Sequence, residues 1–247
     1  MKKISFLLAL VAGLATQLAL AGAAVVTTLN GTAQVQSGTA APKALRLGDE
    51  VNQGDSVSTG ADSGVVLKFE DGEVATLTAN SRMTVTQYQY NAQSGSGNIQ
   101  LSLVNGGMRA VTGLIGKKSP DKVTYRAGAA TIGILGTTVD IVSSKGKVSA
   151  SVESGEISFT MGSESHKVPA GQAVYGTDGK ITQASAEAIF AQLPQDMKDF
   201  IGNLQTLMVA LNEASGATSG TGRINAITGT SATGGGGGSV SPNTSKR

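Results

Sequence analysis

The sequence contains no cysteine, no tryptophan and a single histidine. The absence of cysteine excludes disulfides, thiolate catalysis, Cys-based zinc sites and a lipid-modified N-terminal cysteine. A Ser-His-Asp arrangement would need His166, which lies in the polar stretch Glu-Ser-His-Lys at residues 164–167, and the sequence has no nucleophile-elbow motif. We therefore expect a solvated turn histidine, no cofactor and no enzymatic activity.

Aromatic residues are also scarce, with four tyrosines and five phenylalanines in 247 residues. Sugar and nucleic-acid sites are commonly built on aromatic platforms. Tyr88 and Tyr90, which alternation places on one strand face, are the only pair that suggests such a platform, and core packing or surface cover is the favoured explanation for them. Glu70, Asp71 and Glu73 cluster near a turn but lack the spacing of a calcium loop, so we expect a charged turn tip and no metal site.

Charge excludes a further class of partner. The formal net charge is +2, but Lys2 and Lys3 lie in an N-terminal leader. Without them, 17 basic side chains face 17 acidic ones. A neutral mature chain argues against nucleic acid as the main partner.

The leader, residues 1–21, has a basic start, an apolar run and the small-x-small sequence Ala-Leu-Ala at residues 19–21. These are the three parts of a secretory signal peptide. We expect cleavage after Ala21, with Ala23 as the second choice, and a periplasmic or secreted bacterial protein without a membrane span after cleavage. An uncleaved membrane anchor is the alternative.

The stretch from residue 47 to residue 81 organises the chain, because Gly-Asp and Asp-Gly pairs there separate short apolar runs. Glycine tolerates the positive φ of a tight turn, and aspartate bonds neighbouring backbone N–H groups. Between these turns, Val65, Leu67 and Phe69 alternate with other residues, as on a strand with one face towards a core.

Short alternating runs continue through residues 25–181 and predict an all-β fold in a sandwich or a solenoid-like roll, with stacked short strands favoured over a closed barrel. Residues 99–104 and 108–111 form two of the predicted strands. Residues 148–153 and 157–161 predict a hairpin around a turn at Gly155 and Glu156. The nearly uncharged segment of residues 131–140 is predicted to be the buried centre, with packing glycines at 133 and 136.

Two C-terminal helices are predicted after residue 182, the first capped by Ser185 and the second with Pro194 in its first turn. The second carries an apolar stripe at i, i+3, i+4 and i+7 spacing: Met197, Phe200, Ile201, Leu204, Leu207, Met208 and Leu211. Packing on the chain's own sheet, docking of a partner and self-association are the open alternatives for this stripe. Residues 216–247 are rich in Gly, Ser and Thr and predict a disordered tail. The predicted division is therefore a signal peptide at 1–21, a β domain at 25–182, a helical segment at 183–215 and the tail.

Several motifs follow one another in a recognisable order. They are Gly48-Asp49, Gly54-Asp55, Thr59-Gly60, Asp71-Gly72, Gly136-Thr137, Gly155 and Gly171. In this order they resemble the FecR family, named for the ferric citrate regulator, over roughly residues 25–181. The resemblance implies structural roles for these residues and a β domain that acts through protein contacts. Family members commonly carry Arg before the Gly-Thr pair, where this chain has Leu135.

Regulators of this family that control a sigma factor have a cytoplasmic N-terminal segment before a membrane span. Only Lys2 and Lys3 precede the apolar run here, so we expect that the sigma-binding function does not transfer. The first hypothesis is a non-enzymatic exported protein that contacts an envelope or membrane protein and takes part in signal sensing or transduction. The alternative is a structural or extracellular-matrix protein that binds polysaccharide or peptidoglycan.

Overall fold

The structure, a computed structural model, describes residues 22–214. The predicted signal peptide and the predicted disordered tail lie outside the described residues. The described part is mostly β-structure, with fifteen strands joined in one sheet, which confirms the all-β prediction. The shorter strands are β1 (Ala24–Asn30), β2 (Ala33–Ser37), β3 (Lys43–Ala44), β4 (Glu50–Val51), β5 (Asp55–Thr59), β6 (Gly64–Phe69), β7 (Val74–Leu77), β10 (Val123–Ala127), β13 (Glu164–Pro169), β14 (Gln172–Thr177) and β15 (Lys180–Ser185).

The longer strands are β8 (Arg82–Asn91), β9 (Ser96–Val111), β11 (Ala130–Ser144) and β12 (Lys147–Met161). Three of these, β9, β11 and β12, pair with different neighbours along their two halves. One set of halves belongs to the strand order β13–β12–β11–β10–β9–β8–β5–β2–β3, which we call the open layer. The other set belongs to β15–β14–β12–β11–β9–β7–β6–β1–β4, which we call the covered layer.

The long strands change layer at glycines with positive φ: Gly106 (100°) in β9, Gly136 (59°) in β11 and Gly155 (76°) in β12. A side chain at Gly155 would collide with the backbone carbonyl oxygen of Gly136, so two of the bends approach each other too closely for any other residue. The sheet therefore folds over itself into a sandwich of two layers that share three strands.

The core lies between the two layers and forms a single apolar cluster. Contacts cross it directly: the rings of Phe69 in the covered layer and Tyr88 in the open layer have centroids 5.3 Å apart. Gly176 of β14 faces the side chains of Met161 and Phe159, which come from the open half of β12. Buried residues alternate with more exposed ones along strands such as β8 and β9, as the sequence predicted for this core.

The two C-terminal helices are confirmed as α2 (Ala186–Gln192) and α3 (Gln195–Ala214), and a short helix, α1 (Leu114–Lys118), precedes a 3₁₀ turn at Pro120–Lys122 in the middle of the chain. The Ser185 hydroxyl accepts the N–H of Ala188 at 3.2 Å, which is the predicted cap. Ile189, Leu193 and Met197 pack on Val142 and Ala173, which face outward from the covered layer.

Three local predictions are wrong for one physical reason, which is that glycine here bends strands instead of ending them. Residues 99–104 and 108–111 belong to the single strand β9. The predicted hairpin at Gly155 and Glu156 is the continuous strand β12, whose two halves both pair with β11. Residues 131–140 form the bend of β11 and not a buried centre, since Leu135 there is 61% exposed.

Candidate functional site

The motif glycines and aspartates build turns. Gly48, Gly54, Gly72 and Gly171 all have φ between 81° and 89°, a region that favours glycine. One carboxylate oxygen of Asp49 accepts the N–H of Arg46 at 2.8 Å, and one of Asp55 accepts the N–H of Asn52 at 2.9 Å. Each Asp therefore closes its own turn, as the sequence predicted for such pairs.

The motif threonines and the remaining glycine tie strands together. Ser81 donates its N–H to the Thr59 hydroxyl at 2.9 Å, and Gly60 donates its N–H to the carbonyl of Thr32 at 2.9 Å. Thr137 donates its N–H to the Thr112 hydroxyl at 2.8 Å, which joins the residue after β9 to β11 directly beyond the β11 bend. These bonds give the motif residues structural roles.

Asp71 and Glu73 do not form the charged turn tip that the sequence suggested, because they are 1% and 0% exposed. Asp71 accepts the N–H of Glu73 at 3.1 Å with one carboxylate oxygen and the N–H of Ile115 at 3.2 Å with the other. Its backbone carbonyl accepts the N–H of Leu114 at 2.8 Å. Asp71 therefore fixes the first turn of α1 from a different part of the chain.

Two tyrosines of the open layer complete this buried cluster. The Tyr88 hydroxyl accepts the N–H of Asp71 at 3.0 Å, and the Tyr125 hydroxyl donates to Oε1 of Glu73 at 3.1 Å. The second oxygen of Glu73, Oε2, has no partner among the described residues. Of the tyrosine pair considered in the sequence, Tyr88 is thus a core residue, whereas Tyr90 packs half-buried at its edge.

Burial, followed by the nearby carboxylate of Asp71, raises the pKa of Glu73 to about 8, although the Tyr125 hydrogen bond acts in the opposite direction. Burial and Glu73 likewise raise the pKa of Tyr125 well above its usual value. At neutral pH, Glu73 is therefore mainly protonated. Water reaches neither acid, so in this conformation the pair cannot act on a dissolved substrate and instead holds the two layers and α1 together.

The α3 stripe lies against the covered layer. Met197, Leu204 and Leu207 are buried, whereas Phe200, Ile201, Met208 and Leu211 are half-buried. Leu207 lies over Gly64, where a strand side chain would leave no room for the helix, and Phe200 lies near Gly107. Contact between the stripe and a partner stays a prediction. Only the half-buried members of the stripe are accessible for such a contact.

Between α2, α3 and the covered layer lies a cleft lined by Val142, Ile189, Phe190, Leu193 and Ile201, with a cavity of about 20 Å³. Such a volume holds roughly one water molecule. The cleft is therefore a packing gap and not a ligand site.

Apolar side chains are exposed beside the bends of the long strands. Leu135 is 61% exposed, Leu114 45% and Val111 38%, and we call these three residues the bend patch. Thr112 and Thr137 are hydrogen-bonded, so they hold together the backbone between Val111 and Leu114 and the backbone that follows Leu135. Gly116 of α1 faces the Ile134 side chain, which places the helix on the same strand as Leu135. The backbone beneath the patch is therefore fixed.

His166 lies on β13 and not in a turn; its Nδ1 atom is 3.1 Å from Oε1 of Gln183. Within residues 22–214, no group of three or more His, Asp or Glu side chains is arranged to hold a metal ion. None of the helices in that range combines the length and the apolar character needed to cross a membrane.

Sequence reasoning missed the buried acid cluster and the bend patch. The Asp-Gly turn at residues 71–72 was visible, but α1, which closes over it together with the preceding Gly113, had no sequence signal of its own. An indication for the patch was present, because Leu135 stands in a nearly uncharged segment at a position where the resembling family commonly carries a charge.

The model of one protein family, described as FecR protein, matches residues 55–158. No curated protein matches the sequence. Among solved structures, two crystal structures of a candidate anti-sigma factor from Parabacteroides distasonis are similar to this chain, with 14% and 15% identity and a TM-score of 0.42 each. The aligned region covers 56% of this chain in both comparisons, and it covers 64% and 63% of the anti-sigma factor chain. This chain therefore spans less than two thirds of that protein's length.

Proposed function

Because residues 55–158 of the chain form a FecR domain, we propose that the protein is a non-enzymatic, exported signalling component that acts through protein contact in the periplasm or cell envelope. The resemblance suggested over residues 25–181 is matched over this shorter range, which runs from β5 into the second half of β12. The match to the FecR family suggests a signalling or regulatory role for this protein. The location, the lack of enzymatic activity and the partner, an envelope or membrane protein, belong to the proposal.

The observation that carries the proposal is the bend patch. Exposed apolar side chains on a fixed backbone are a common feature of protein-binding surfaces. Their burial by a partner contributes favourable binding free energy, and little conformational entropy is lost because the backbone is already ordered. Leu114 and Leu135 lie on α1 and β11, which Asp71 and the Thr112–Thr137 bonds hold in place. The FecR match includes all three patch residues.

A non-enzymatic role agrees with the chemistry of the described residues. Asp71 and Glu73 are buried, and Asp71 is engaged in holding α1. His166 is bonded to a glutamine and has no acid or nucleophile as a hydrogen-bond partner.

The test is photo-crosslinking in envelope preparations with the full-length protein carrying a photoreactive residue at position 114 or 135. We expect an envelope or membrane protein to be captured from both positions. Capture should be lost in competition with excess unlabelled wild-type protein but persist in competition with Leu114→Ser/Leu135→Ser.

Leu47→Ser is the matched control, because Leu47 is 65% exposed in a loop that is not part of the patch. Surface substitutions of this kind change stability by about 0.5 kcal/mol or less, so an effect on capture would not report unfolding. Equal competition by the patch variant and by wild type would overturn the patch as the contact.

The α3 stripe is tested in parallel with the photoreactive residue at Phe200 or Met208, its half-buried members. Capture from these positions alone would move the contact to the stripe, and capture of a second copy of the chain would indicate self-association. Fractionation of cells, with the mass of the secreted form, tests export and the cleavage after Ala21.

A further inference from the structure

The outer face of the open layer differs from that of the covered layer. Helices α2 and α3 lie over the covered layer, where they bury Val142 and Ala173. On the open layer, the outward side chains Arg126, Thr131 and Ser158 are exposed. No element within residues 22–214 covers this face, so it is available to a partner.

Strand pairing arranges the outward side chains of this face in two straight rows. The first row crosses eight strands: Gln36, Ser56, Thr84, Ser102, Arg126, Thr131, Thr160 and Ser165. The second row crosses six: Gln87, Gln100, Thr124, Gly133, Ser158 and Lys167. With strands about 4.8 Å apart, the first row is roughly 34 Å long, and the two rows are separated by about 7 Å.

Nearly all of these side chains are uncharged groups that can both donate and accept hydrogen bonds. Some bond one another, as Ser56 does with Thr84 at 3.1 Å and Thr160 with Ser165 at 2.9 Å. Between these pairs, Ser102, Thr124 and Thr131 have no side-chain partner within residues 22–214 and are free to bond a ligand.

The face carries more positive than negative charge, because Arg82, Arg126 and Lys167 lie on it with one acid, Glu156, which precedes Ser158 on the same side of β12. Arg82 donates to Ser56 and Gln36, and Arg126 has no carboxylate within 4.0 Å among the described residues. Lys167 lies 3.8 Å from Glu156, and neither row contains an acid. The complementary ligand therefore carries many hydroxyl groups and some carboxylates.

We propose that this face binds an extended polysaccharide that contains uronic acid residues. An extended glycan offers hydroxyl groups at every sugar, at a repeat close to the strand spacing, so that it can lie along a row with about one sugar per strand. Neither row contains an aromatic or large apolar side chain, and the exposed Leu135 and Val104 lie beside the rows on the same face. Without aromatic stacking, each sugar contributes little, and the chain binds through many weak contacts.

This proposal does not depend on the bend patch, and two signatures distinguish it from binding of a single sugar. Affinity should rise with glycan length until the chain spans the eight strands of the first row, at about eight sugars. It should fall as salt increases, because the charges lie on an exposed surface. Leu114→Ser/Leu135→Ser should bind glycan like wild type.

The experiment is calorimetry and co-sedimentation of the full-length protein with oligoalginates and polygalacturonate of defined length, and with dextran as a neutral polymer. We expect Arg126→Glu to weaken binding of the acidic polymers about tenfold or more. Lys68→Glu makes the same charge change at an exposed position on β6 of the covered layer and is the matched control, with an effect within about twofold.

A charge-neutral variant, Thr131→Val/Ser158→Ala, tests the hydroxyl rows separately and should weaken binding about threefold or more. The melting temperature of each variant checks that it is folded. Absence of binding to any polymer, equal effects of Arg126→Glu and Lys68→Glu, or equal binding of dextran would each overturn the proposal. So would equally tight binding of single-stranded DNA, which would make the face a general polyanion surface, or photo-crosslinking of a protein from Thr84, which lies in the first row but several strands away from the bend patch.

Discussion

Glu73 is an ionisable group in the centre of the molecule, and its environment favours the neutral form. Its Oε1 atom accepts the Tyr125 hydroxyl, its Oε2 atom has no partner among the described residues, and Asp71 lies beside it. A charged Glu73 would face the Asp71 carboxylate in a medium that screens charge poorly. The arrangement is therefore stable only while Glu73 holds its proton.

The first prediction is that stability falls as pH rises. The pKa of Glu73 is about 8 in the folded protein, against 4.5 for the unperturbed group. Between these values the folded state holds a proton that the unfolded state has lost, so unfolding becomes easier by up to about 1.4 kcal/mol per pH unit from this group. Above the folded pKa, the contribution is lost and the slope from Glu73 ends.

Urea unfolding between pH 5 and 9 measures this slope. Glu73→Gln, which keeps the acceptor for Tyr125, should flatten the profile. Glu70→Gln removes an exposed acid from the same loop and should leave the profile unchanged. If wild type and Glu73→Gln lose stability in parallel with rising pH, Glu73 is not the titrating group.

At this scale the sequence predicted much of the local geometry. The Asp-Gly turn and the inward positions of Val65, Leu67 and Phe69 follow from turn chemistry and alternation. The burial of Glu73 could not be predicted, because Gly113 and Ile115, which close over it, are about forty residues away along the chain. Sequence patterns report neighbours along an element and not the elements that pack above it.

At the scale of elements, glycine has two roles that look alike in sequence. Gly146 lies in the turn between β11 and β12, beside Lys145, and both residues have positive φ. Gly155 has a similar φ but lies inside β12, where the strand bends and continues. The sequence predicted a turn at Gly155, and only the pairing of both halves of β12 with β11 shows that the strand continues there.

The second prediction uses this difference. Gly155→Ala should destabilise the protein by about 3 kcal/mol or more, because the new methyl group adds a collision with the Gly136 carbonyl to the cost of a positive φ. Gly146→Ala has the same backbone cost, but nothing lies within 4 Å of the added methyl group, so about 1 kcal/mol is expected. Urea unfolding compares the two, and equal losses would show that the close approach at the bend carries no weight.

At the scale of the whole molecule, the two layers cannot be separated without breaking strands. The predicted class, an all-β fold followed by two helices, is correct because periodicity and capping are local signals. The sandwich arrangement was not distinguishable from a solenoid, because it depends on which halves of β9, β11 and β12 pair with which neighbours. Those pairings join residues far apart in sequence, such as Ile99 with Val123 and Val74 with Val111.

The third prediction is that the two layers unfold together. Three shared strands and a core that crosses between Phe69 and Tyr88 leave the open layer without a hydrophobic core of its own, and the covered layer adds only the small cluster under α2 and α3. The sequence has no tryptophan, so Tyr175→Trp places a single fluorescent reporter on β14, under α2 in the covered layer. The absorbance of Tyr88 and Tyr125 reports on the core side of the open layer.

In urea, the tryptophan fluorescence, the tyrosine absorbance and the far-UV circular dichroism of this variant should give coincident transitions with one midpoint. A tryptophan transition at lower urea than the tyrosine transition would mean that the covered layer and its helices can open while the open layer remains folded. That result would contradict a shared core and would make the long strands flexible connections between two separate units.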